Sequence, residues 1–226
     1  MAKRTPENDR RRLIEEQRKK IKRQERRNTV LTIVISSIIG IGLIGSAVYF
    51  GSRDKRDVAL RSVGFAAEAA GCDAAAEEPL GKDAENDAAK HTAQNGDRVE
   101  YPVAPPSSGR HNPTPLPVGA KKFYSRTDNP PPERAVHNLE HGYVVVWYDN
   151  KVNDEQLQRL EDAAAAADGK FLIVPWTRND FPNEKHVVVT SWTQKQSCSD
   201  VSGSVFQDFM DKYGGKNSKA PEKNAI

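Results

Sequence analysis

Between Arg27 and Arg53 the chain carries no charged residue. The heart of this interval, VLTIVISSIIGIGLIGSAVYF, is 21 residues long. As a helix rising about 1.5 Å per residue, it is long enough to cross a hydrocarbon core of about 30 Å. A cleavable signal peptide would have a shorter apolar region, of about 7–15 residues, ending in a small-x-small site. This run ends in Val48-Tyr49-Phe50, with rings suited to the membrane interface. The expectation is an uncleaved transmembrane helix over residues 29–51.

Orientation follows from the basic residues on either side. Residues 10–28 hold ten Lys/Arg and residues 53–72 hold four, so the amino terminus is expected in the cytoplasm. Residues 53–226 then form an extracytoplasmic part of a single-pass cell-membrane protein. The net charge of +3 is an average of unlike parts: residues 1–28 carry +7 and the remainder −4. The basic tail lacks aromatic stacking residues and any folded reading module, so nucleic acid is not an expected partner. Anionic headgroups explain it better. Within the span, Ser36/Gly40 and Gly42/Ser46 are small-xxx-small pairs that would let a partner membrane helix approach closely. A single apolar stretch excludes a multi-pass transporter, and two cysteines exclude a disulfide-dense scaffold.

The outer part divides by composition. Residues 52–90 read as a linker containing Cys72. Residues 91–132 are proline-rich, with nine of the fourteen prolines between Pro102 and Pro132. Proline fixes φ and lacks a donor, so this segment must wrap over something else or stay extended. Residues 133–222 read as an α/β core. ERAVHNLEH is a short helix with Gly142 as its left-handed cap. Apolar runs at 143–149, 171–176 and 187–192 read as strands. Helices are expected from the Asn153/Gln156 capping box, with Leu157, Leu160 and Ala164 inward, and from Ser204/Gln207, with Phe206 and Phe209 inward. The order β-α-β-β-α fits a small α/β (α+β) layer, thioredoxin-like or ferredoxin-like. A core of about 90 residues folds but leaves little room for a large catalytic cleft. Outside the membrane Cys72 and Cys198 are expected to pair, contributing about 4–5 kcal/mol by closing so long a loop. With no CxxC, thiol oxidoreductase chemistry has no support.

The histidines carry the chemical signal. His137 and His141 are spaced i,i+4, which puts two imidazoles one turn apart on one helix face, able to clamp Zn²⁺ or Cu²⁺. Glu140 stands beside them as a ligand or orienting group. His111 lies in PPSSGRHNP, a stiff loop suited to presenting a ring against that helix, and His91 precedes the same segment. His186 reads as a surface residue. The competing reading is a chance pair, with rings that merely satisfy backbone carbonyls. HNLEH also fits the H-x-x-E-H of inverted zinc peptidases, in which Glu140 would activate water. Those enzymes use longer helices in much larger domains, so catalysis is not the expectation.

PPSSGRHNP (105–113) followed by VHNLEHGYVVVWY (136–148) resembles an actinobacterial family of membrane-anchored proteins, domain of unknown function 3105, with its PPxSGxH and HxLEHG patterns. Ser191-Trp192, Cys198 and Pro221-Glu222 match further features, so the resemblance covers about residues 70–222. The matching positions are Pro105, Pro106, Ser108, Gly109, His111, His137, Leu139, Glu140, His141 and Gly142, with His91 matching a histidine ahead of PPxSG. The turn at 119–124 is longer than the compact Gly-x-Tyr the family leads one to expect. The resemblance implies location and fold but brings no established activity. Because its motifs are built around histidines, it strengthens the metal reading. The expectation is a metal site of His91, His111, His137, Glu140 and His141 holding copper or zinc. The rival is an accessory subunit of a membrane complex in which the histidines only pin the loop.

Overall fold

A computed structural model describes residues 6–78, 90–119 and 121–225, in two compact units, Met1–Ser52 and Arg53–Ile226. The first helix is α1 (Pro6–Arg61). In the first unit it holds a stretch long and apolar enough to cross a membrane. Ile33, Ile38 and Ile41 are each 60% exposed or more, a surface that favours lipid over water. Around Gly40 and Gly42 a methyl group would meet nothing within 4 Å, while the Ser46 hydroxyl donates to Leu43 O in its own helix. The side chains of Tyr49 and Phe50, Ala120 of the long turn, and residues 79–89 of the expected linker lie outside the described residues.

The second unit is built on β1 (Ala76–Glu77), α2 (Pro132–Glu140), β2 (Val144–Tyr148), α3 (Asp154–Ala166), β3 (Phe171–Pro175), β4 (Val187–Ser191), β5 (Gln194–Cys198) and α4 (Gly203–Tyr213). The sheet order is β1-β5-β4-β2-β3, with β2 and β3 parallel and the other pairs antiparallel. Because β2 and β3 are direct neighbours, the β-α-β unit is not split as a ferredoxin-like fold requires. The β2–β5 connectivity is the thioredoxin-like one, with α2 entering ahead of β2. Alternation along the strands makes two cores. Val144, Val146 and Tyr148 face Leu160 of α3 and Phe206 and Phe209 of α4. Val145 and Trp147 face Ala135, Val136 and Leu139 of α2.

Local signals set the helix ends. Asn153 and Gln156 close a reciprocal cap on α3. On α4 the cap is Ser202, two residues before the expected Ser204, with its side chain accepting from Val205 N, and Gly203 beside it runs against the α1 backbone, where a Cβ would lie 1.9 Å from Leu60 O. The region read as a linker contributes to the domain: Leu60 is fully buried, Arg61 pairs with Asp208 and Asp211, and β1 lines the β5 edge. Cys72 is joined to Cys198 across a separation of 126 residues. The far edge is also covered, since Ile173 of β3 bonds Lys122 O and Tyr124 N.

Candidate metal centre

Prolines leave the 91–132 segment with carbonyls in excess of donors, and α2 supplies what is missing. Arg134 donates to Thr114 O and Pro115 O. Asn138, fully buried, grips Leu116 at both backbone groups, accepting from its N–H at 2.9 Å and donating to its carbonyl at 3.2 Å. His137 Nδ1 donates to Asn112 O at 2.7 Å. At the helix start, buried Glu133 accepts from Val99 N and from Arg178. The proline-rich loop is thus laid down α2 along its length.

Two glycines make the local geometry possible. Gly142, at φ +80°, ends α2 immediately after His141, as its position in the sequence predicts. Gly109 has φ +127°, and a Cβ there would sit 3.2 Å from the Tyr101 ring. Its carbonyl accepts from His111 Nδ1 at 2.8 Å. A short parallel bridge then sets His91 beside His111, with Thr92 N donating to His111 O and His111 N to Lys90 O.

These devices bring His91, His111, His137, Glu140 and His141 together. The His91 and His137 rings stack with centroids 4.9 Å apart, His111 stands edge-on 5.0 Å from His137, and His137 is 4.6 Å from His141. The donor atoms form two sets, each within 4.8 Å: His91, His111 and His137, then His137, Glu140 and His141. His111 and Glu140 are buried, His141 is partly covered and His91 is about half exposed.

The hydrogen bonds fix which atoms face the centre. With Nδ1–H of His111 given to Gly109 O, its Nε2 lies 2.9 Å from Glu140 Oε2, so one proton is held between them. With Nδ1–H of His137 given to Asn112 O, its Nε2 lone pair is turned towards His141 Nε2 at 3.1 Å. Holding the Nδ1 proton on an outer carbonyl is the usual way a protein orients a metal-binding imidazole. Burial would raise the Glu140 carboxyl, but the His111 hydrogen bond and the positive fields of His111, His137 and His91 bring it below the ordinary value. Burial lowers His137 below its ordinary value, against the opposing bond to Asn112 O. Ionised carboxylate and neutral imidazole are the forms a metal requires.

The sequence reading missed Glu222, whose Oε2 lies 3.3 Å from His141 Nε2. Its backbone N–H donates to Glu140 O, and the Lys170 amine gathers His141 O, Lys223 O and Ala225 O to hold the tail there. Trp192, edge-on to His111 at 6.4 Å, walls the pocket. The family resemblance marks both positions, as Ser191-Trp192 and Pro221-Glu222, but their place beside the histidines comes from tertiary contact. His186 stays outside these sets and pairs with buried Asp149 at 2.9 Å.

Fold and site together define a mixed α/β domain with a partly buried His–Glu cluster, following an apolar helix able to cross a membrane. The chain belongs to the family described as Protein of unknown function (DUF3105), whose model matches residues 91–226. No curated protein and no solved structure matches the chain.

Proposed function

We propose that this is a single-pass membrane protein whose extracytoplasmic domain binds one transition-metal ion, copper or zinc, through His91, His111, His137, Glu140 and His141. The observation that carries this reading is the division of labour in the rings. His111 and His137 each spend Nδ1 on a loop carbonyl and turn Nε2 inward towards the other donors. Rings that served only as loop pins would have no need of a common centre. A nitrogen-rich set with a carboxylate suits both metals, and Cu²⁺ heads the divalent affinity order. Loading would require the proton held between His111 and Glu140 to leave for solvent, freeing both side chains as donors. A role in holding or sensing metal outside the membrane follows, with residues 1–28 in the cytoplasm and 29–51 as the anchor.

The test is elemental analysis of the full chain in detergent, oxidised and without a tag, beside His137→Ala/His141→Ala. One equivalent of copper or zinc, lost in the double variant while its circular dichroism persists, supports the reading. No metal after loading of the folded wild type overturns it and leaves the histidines as loop pins.

A further inference from the structure

His137 belongs to both donor sets, yet its Nδ1–H is committed to Asn112 O, which leaves one lone pair, on Nε2, and one lone pair holds one ion. Because that lone pair is common to both sets, they are alternative seats for one ion. The first seat has His111, fully buried and fixed at both nitrogens, with His91 closing it towards solvent. The second has His141 and ends in Glu222, whose carboxylate is 58% exposed. Glu140 borders both, 2.9 Å from His111 Nε2 and within 4.8 Å of His137 and His141.

We propose that a single metal ion occupies these two seats alternately, pivoting on His137, and that the His141–Glu222 seat is the position through which it enters and leaves. This rests on the metal-binding reading above. Direct departure from the His111 seat would strip several ligands from the cation at once, which is costly. Stepwise exchange avoids that: bonds to His111 and His91 break as bonds to His141 and Glu222 form, while His137 keeps its own and the oxidation state does not change. The exposed carboxylate then gives the ion up to solvent or to an acceptor. Lys170 keeps this seat assembled by clamping the tail that carries Glu222.

The experiment uses the full chain in detergent, loaded with Cu²⁺, with release to excess EDTA followed by stopped flow and the loaded state by electron paramagnetic resonance. The wild type is expected to hold one equivalent. His141→Ala and Glu222→Gln should each hold one equivalent but release it more slowly than the wild type, because the exit seat has lost a ligand. His111→Ala should hold its copper in the second seat, with an altered spectrum and faster release. Two equivalents in the wild type would overturn the proposal, as would release from His141→Ala as fast as from the wild type. A folded wild type that binds neither copper nor zinc would instead remove the metal reading beneath it.

Discussion

His111 Nε2 lies 2.9 Å from Glu140 Oε2 in a place where neither side chain is more than 4% exposed, joining the proline-rich loop to α2 by a charge-assisted bond. Removing one partner of such a buried pair leaves the other without compensation. His111→Ala is therefore expected to destabilise the metal-free domain by about 3–5 kcal/mol. Urea unfolding of the chelator-treated protein measures this. A loss under 1 kcal/mol would mean that water reaches Glu140 freely.

Acid should weaken the same domain. Glu140 titrates below its ordinary 4.5 and His137 below its ordinary 6.5, so the unfolded chain binds more protons than the folded one as pH falls. The His137 contribution is complete above 6.5 and is lost as pH falls towards its folded value. The Glu140 contribution is lost below 4.5 in the same sense. The urea midpoint of the metal-free protein should decline as pH is lowered from 7, and His137→Ala should flatten the upper part of that decline.

Asn138 reaches the site without touching a donor atom. Asn138→Ala leaves Leu116 N–H and C=O unpaired in a buried place, at about 1–3 kcal/mol for each group. The loop that carries His111 then loses its fastening to α2. Copper affinity should fall along with stability, and isothermal titration beside thermal melting separates the two losses.

Reduction of the Cys72–Cys198 bond should lower stability by about 3–5 kcal/mol. The first amides to gain hydrogen exchange should be those of Asp73 and Glu78, which bond Ser197 O and Thr193 O on the β5 edge. Equal exchange in the reduced and oxidised forms would show that β1 stays in place without its covalent tie.

The strands of the sheet's centre could be read from the chain because both their faces are covered: VVVWY, FLIVP and VVVTS are apolar or β-branched nearly throughout. β5, QKQSC, has no such pattern and forms because the β4 edge offers its hydrogen bonds across a two-residue turn. β1 is shorter still and depends on that edge in turn. In the site, His137 and His141 were visible through helical spacing, and His111 through the stiffness of its loop. His91 arrives through a bridge between segments remote in sequence, and Glu222 through a lysine that collects three carbonyls. Neither follows a local period. The choice between two topologies also waited on pairing, since the sequence names strands without naming neighbours.

Residues 73–78 on β5 and residues 122–124 on β3 fill the two rims from which a sheet recruits foreign strands. Both fillers precede the strands they shield in the chain, so each is already synthesised when its rim first emerges. Newly made copies of the domain consequently offer one another little of the β3 and β5 backbone to zip onto.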